Sequence, residues 1–175
     1  MENIAQEQII EELTDFVRNR FWGKYKGTVV SVGEGSELGL ITARVAGVYG
    51  DEESPWALPA VPFAGSDHGF ITLPEKDDGV WIEFEGGDSG RPIWTGYWWA
   101  TGEMPSDASP KKRALITPAG LKLIFDDDEG SIILTSAVGT EIKLTNDTIT
   151  IKTGSAQIEL NSQGINCNSG ALEVK

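Results

Sequence analysis

Between Leu121 and Val174 the apolar residues come in pairs two apart: Leu121 with Leu123, Ile132 with Leu134, Ile142 with Leu144, Ile149 with Ile151, Ile158 with Leu160, Ile165 with Cys167 and Leu172 with Val174. Side chains two apart share one face of a strand, so each pair predicts a short strand with one apolar face. The first members of successive pairs lie 11, 10, 7, 9, 7 and 7 residues apart, with Gly130, Gly139, Gly154, Gly164, Gly170 or Asn146-Asp147 between them. This is an irregular repeat of strand and turn. Phe125 is the last aromatic residue of the chain, and no helix-period segment follows it. Such a ribbon has nothing of its own to lay over its apolar face. At roughly 1.5–3 kcal/mol per buried Ile or Leu, the pairs offset the cost of ordering only where water is excluded, so several chains must share one core. Three identical ribbons about one axis would turn Ile142, Leu144, Ile149, Ile151, Ile158, Leu160, Ile165, Cys167, Leu172 and Val174 inward. Lys143, Thr145, Thr150, Lys152, Glu159 and Asn161 would remain outside. The expected form is a trimeric, intertwined β-helix or β-prism, whose closure also removes exposed strand edges.

The chain before this ribbon builds a different kind of core. Of its 15 aromatic residues, 14, including all six Trp, fall at or before Trp99. Candidate strands are Tyr25 to Val32, Leu40 to Val45, Phe70 to Leu73, Val80 to Phe84 and Ile93 to Trp98, separated by Gly-rich and Pro-rich turns. Five strands without a crossover helix predict a small antiparallel barrel of the oligonucleotide/oligosaccharide-binding (OB) type. Ahead of it, roughly Ile4 to Arg20, the residues Ile9, Ile10, Leu13, Phe16 and Val17 recur at helical spacing, with Glu7, Glu11, Glu12 and Asp15 on the other side. That predicts an amphipathic helix, docked either on its own domain or, through Ile9, Leu13 and Phe16, on a partner chain. The whole chain is thus expected to be all-β after a short helix. The expected division is a helix at 1–22, an OB domain at 23–99, a Pro- and Ser-containing linker at 100–113 and a β-helical spike at 114–175.

Charge narrows the choice of partner. With 14 basic against 27 acidic residues the net charge is -13, so a phosphate backbone would be repelled and nucleic acid is not an expected partner. The one basic run, Lys111-Lys112-Arg113, follows a Pro/Ser/Asp stretch and reads as solvated linker. No apolar run approaches the ~20 residues of a membrane span. The start lacks a basic flank, which points to synthesis in a cytoplasm. The single cysteine, Cys167, excludes an intrachain disulfide framework and a multi-cysteine metal site.

At this point the residues carry a likeness. The run Trp56 to Gly65, then Gly69-Phe70, Leu73-Pro74, Asp78 to Asp88 and Pro92 to Trp98 resembles the OB domain of contractile-phage central spike proteins. That family is also called baseplate assembly protein V and is related to the valine-glycine-repeat spikes of type VI secretion. The likeness is specific over Lys24 to Trp99 and looser beyond. It implies a homotrimeric, non-enzymatic, cell-puncturing spike at the baseplate tip of a virion tail or a related injection particle. The OB domain would dock on a baseplate hub protein, with Ile9, Leu13 and Phe16 as the docking arm. The β-helix would pierce the target cell's outer envelope. The paired tip histidines of some relatives have no counterpart here, and the stop at Leu172-Glu173-Val174-Lys175 without a long apex implies a small tip-capping protein.

Several residues invite a chemical reading. Asp126-Asp127-Asp128-Glu129-Gly130 could pair carboxylates for hydrolysis or bind calcium, and three copies in a trimer could hold a cation; a polar hairpin turn is the preferred reading. Ser66-Asp67-His68 suggests a hydrolase, but adjacency in a Gly-flanked loop does not make a triad. At period two, Trp94 and Trp98 share a face and Trp99 takes the other; a stacking platform is one reading, and core packing with contact to neighbouring subunits is the preferred one. Cys167, in phase with Ile165, reads as a buried small hydrophobe. No catalytic residue, metal site or cofactor is expected. The alternative function is a carbohydrate-binding or envelope-degrading tail protein, and a third, an OB-fold nucleic-acid binder, is disfavoured by charge.

Overall fold

The computed structural model describes the backbone of residues 2–174 and the side chains of residues 7–172. The chain forms two compact units, Met1–Glu103 and Met104–Lys175.

The first unit opens with α1, Glu2–Arg18, two residues earlier at each end than the apolar spacing suggested. Arg18 in its last turn complements the helix dipole. Five strands then make one sheet: β1 (Tyr25–Val32), β2 (Ile41–Arg44), β3 (Leu58–Pro59), and, after a two-residue hairpin β4 (Ala64–Gly65) and β5 (His68–Gly69), β6 (Gly79–Phe84) and β7 (Pro92–Tyr97). The order across the sheet is β2-β1-β6-β7-β3. Alternation places Val80, Ile82 and Phe84 of β6 inward, where they join Val29, Ile41, Ala43, Val45, Ala57 and Trp94 in the core. Trp94 is 2% exposed, and its Nε1–H donates to the Gly39 carbonyl at 3.0 Å.

The sheet is curled and open. A short helix, α2 (Ala46–Tyr49), follows β2, and the chain then returns along the outer edge of that strand. Ser54 N–H donates to the Ala43 carbonyl at 2.9 Å, and Ala43 N–H donates to Ser54 Oγ at 3.0 Å. Ile41 and Ala57 form one antiparallel bridge just before β3. Backbone groups on the β2 edge are thereby paired, although β2 and β3 share no ladder.

Two expectations fail here. Phe70 to Leu73 is not a strand; the fifth strand is Leu58–Pro59, parallel to β7. Phe70 and Ile71 point into solvent, Ile71 being 80% exposed, so this apolar run buries no alternating face and Pro74 ends it. Nor do Trp94 and Trp98 share a face. The β6/β7 register slips between Val80 and Ile82, next to Gly96 at φ 145°, and the extra residue reverses the side-chain phase. Trp98 stands outside the sheet, where Lys26 Nζ lies 4.7 Å from its ring centroid and 5.9 Å from that of Trp81. A Cβ on outward-facing Gly79 would come within 2.8 Å of the Trp98 ring.

The second unit is a single antiparallel sheet of eight strands in chain order: β8 (Lys112–Ile116), β9 (Lys122–Asp126), β10 (Ser131–Thr135), β11 (Glu141–Leu144), β12 (Ile149–Thr153), β13 (Ala156–Asn161), β14 (Gly164–Cys167) and β15 (Leu172–Val174). Tight turns join neighbours, and the β14–β15 turn places Asn168 and Ser169 both at positive φ, 49° and 58°, as a primed hairpin turn requires. The only buried apolar side chain described in this unit is Ile124. By itself this unit has no core.

Candidate assembly interface

The strand registers turn the apolar pairs into two continuous rows. One runs Phe125, Ile132, Leu144, Ile149, Leu160, Ile165, Val174, each directly opposite the next. The other runs Leu115, Leu123, Leu134, Ile142, Ile151, Ile158, Cys167, Leu172. Residues two apart along each strand connect the rows, so both lie on the same face. The Val174 side chain lies outside the described residues. Among the others, Leu123 is half-buried, and the exposed large members run from Leu144 at 37% to Leu172 at 61%. Cys167 is half-buried and carries a free thiol. Cross-strand contact between Ile and Leu steadies the ladder, but among the described residues of this unit nothing covers the rows.

The opposite face carries Ala114, Ile124 and Ile133 side by side on β8 to β10 and is polar beyond them. Lys143, Thr150, Glu159 and Asn166 form its central row beyond β10, and Lys143 Nζ meets Glu129 Oε2 at 3.0 Å. Lys122 pairs with Asp107, which ties the segment before β8 to β9. Asp126, 4% exposed, accepts N–H bonds from Asp128 and Glu129 at 3.1 and 3.2 Å and lies 3.2 Å from Lys112 Nζ. The Glu129 amide first, and Lys112 after it, hold this carboxyl below the usual range against the opposing effect of burial. The Asp126 carboxylate in turn raises the Lys112 ammonium above its ordinary value.

A second uncovered apolar surface lies on α1, where Ile9, Ile10, Leu13, Phe16 and Val17 are all more than half exposed. Among the described residues the helix is fastened at its C-terminal end. Phe21 N–H donates to the Gly87 carbonyl at 2.9 Å, and its ring packs against Tyr25 and Phe84. Arg20 lies over the Phe16 ring at 5.1 Å and reaches the Gly86 carbonyl at 3.3 Å.

Both units match known families. Residues 25–99 match the type VI secretion system/phage-baseplate injector OB domain. Residues 112–173, the span of the two apolar rows, match the phage baseplate V C-terminal trimerisation domain. The chain belongs to the phage baseplate V family. No curated protein matches it.

A baseplate V protein is a structural, non-catalytic spike component of the tail, and the remaining chemical candidates here have structural roles. Among the described residues no three His, Cys, Asp or Glu side chains cluster as metal ligands. The acidic run Asp126 to Glu129 is the turn between β9 and β10, closed by Asp126 on two backbone amides. His68 Nδ1 meets the Ser66 carbonyl, not its hydroxyl, at 2.9 Å, so Ser66, Asp67 and His68 shape a hairpin and form no triad. Period-two counting missed the outer cluster of Lys26, Trp81 and Trp98, because its geometry depends on the bulge at Gly96. The pairing of Asp107 with Lys122 likewise left no periodic signal.

Proposed function

We propose that three copies of this chain assemble through the two apolar rows into a closed β-prism, and that this prism is the puncturing needle of a contractile-tail spike. The carrying observation is the uncovered face itself: two apolar rows, one crossing all eight strands and the other the seven from β9 to β15, with no core of their own. A sheet face of this kind is stable in water only against an equally apolar surface. Two further copies supply one at the right length and spacing, in keeping with the trimerisation-domain match. Ile142, Leu144, Ile149, Ile151, Ile158, Leu160, Ile165, Cys167, Leu172 and Val174 then line the axis.

In this reading residues 1–22 are an arm, 23–99 an OB domain that closes as a barrel, 100–111 a linker, shorter than the expected 100–113 because Lys112 and Arg113 already belong to β8, and 112–175 the spike. Ile9, Leu13 and Phe16 dock on the baseplate hub, the prism crosses the target cell's outer envelope, and its blunt end receives a small capping protein. The test is the mass of the native protein by sedimentation or native mass spectrometry at micromolar concentration. Three chains are expected; a monomer removes the basis of the reading.

A further inference from the structure

We infer that the hairpin of β4 and β5 is a second contact between copies, seated on the five-stranded unit of a neighbouring chain; this rests on the trimeric reading above. The hairpin carries Phe63, Phe70 and Ile71, exposed by 57%, 46% and 80%. Three large apolar side chains on a short projection cost solubility unless something covers them.

The projection is held in shape. Ala64 pairs with Gly69 and Gly65 with His68, Phe70 N–H donates to the Phe63 carbonyl at 3.1 Å, and Asp67 takes a left-handed φ of 61°. The His68 ring leans over Gly65 so closely that a Cβ there would come within 2.2 Å of it. The Tyr97 hydroxyl donates to the Thr72 carbonyl, fastening the outgoing strand to β7. Side chains presented on a preordered backbone lose little further entropy on docking.

Mass action selects the occupant. Once the rows of residues 112–173 bring three chains together, the neighbouring five-stranded units are tethered by about 12 residues, a reach of roughly 40 Å at most. That confines them at an effective concentration in the millimolar range, above that of any free partner. A ring of three also needs two different patches on each copy, one meeting the other. The hairpin is the projecting one.

The test uses the full chain with p-benzoylphenylalanine in place of Ile71, a side chain already in solvent, and mixes isotopically heavy with light protein before refolding. Native mass is measured first, and irradiation follows. The expected result is a heavy-light cross-link mapping within residues 25–99. In parallel, the Phe70→Asp/Ile71→Asp variant should remain trimeric while the unfolding transition of its five-stranded unit falls by at least about 5 °C. An intact trimer with no inter-copy cross-link and an unmoved transition overturns this inference alone. A monomer overturns the trimeric reading and this contact with it.

Discussion

Trp94 donates its indole N–H to the Gly39 carbonyl at 3.0 Å, from a side chain only 2% exposed. This bond joins the centre of β7 to the loop before β2, and it makes Trp94 both the largest fully buried side chain and a fastening across the curled sheet.

Trp94→Phe should therefore cost about 1–3 kcal/mol, mostly from a buried carbonyl left without its donor. Trp94→Ala should cost about 3–5 kcal/mol through the cavity it opens. Calorimetry of the full chain would show the transition of residues 1–103 moving while that of the C-terminal sheet stays in place. Equal movement of both would contradict the assignment.

The Asp126–Lys112 pair gives a pH dependence with a fixed sign. Asp126 has a folded pKa below its unfolded value, so its contribution is present above about pH 4 and is lost as pH falls through the folded value. Lys112 is raised, so its contribution is present below about pH 10.5 and is lost as pH rises through the folded value. Amide exchange at Asp128 and Glu129, the two donors to Asp126, should accelerate relative to neighbouring turns as acid is added. Asp126→Asn should remove that excess.

These features were unequally legible in the sequence. Seven of the eight C-terminal strands could be read because one face stays apolar over strand after strand; β8 was missed because its Lys112 and Arg113 look like solvated linker, although they pair with Asp126 and Asp127. The same period-two count misread Phe70 to Leu73, since four apolar-rich residues look like a strand until Pro74 and an exposed Ile71 show that Leu73 reaches the core without an alternating face. Leu58–Pro59 was invisible for the opposite reason: two residues, one of them Pro, have no period. A single inserted residue at Gly96 moved Trp98 to the outer face. Local pattern reports which face is apolar; in the proposed trimer the cover for the apolar rows comes from other chains, and no pattern within one chain encodes their contact.

Removing residues 1–18 should leave the trimer and both unfolding transitions unchanged. The apolar stripe of α1 is exposed, and the attachment to the five-stranded sheet is made by Arg20 and Phe21, which remain. Incorporation of the spike into tail particles should fall by at least tenfold, measured as spike per particle. Normal incorporation would mean that Ile9, Leu13 and Phe16 do not hold the hub.

The shared core is tested most directly at two adjacent residues of β12. Ile149 lies between Leu144 and Leu160 in an apolar row, whereas Thr150 lies between Lys143 and Glu159 on the polar face. In a closed prism Ile149→Asp places three carboxylates near one axis in a water-poor interior. Each uncompensated ion costs several kcal/mol, and their mutual repulsion adds to it. The trimer should dissociate or open locally. Thr150→Asp gains an attraction to Lys143 and a repulsion from Glu159 in solvent, so its effect should stay within about 0.5 kcal/mol. Sedimentation and thermal unfolding of the two variants decide the matter. If Thr150→Asp breaks the trimer and Ile149→Asp spares it, the polar face is the one turned to the axis, because a one-residue change of phase exchanges the faces. If neither matters, the rows are not a shared core, and a needle that must bear axial load as one closed prism loses its physical basis.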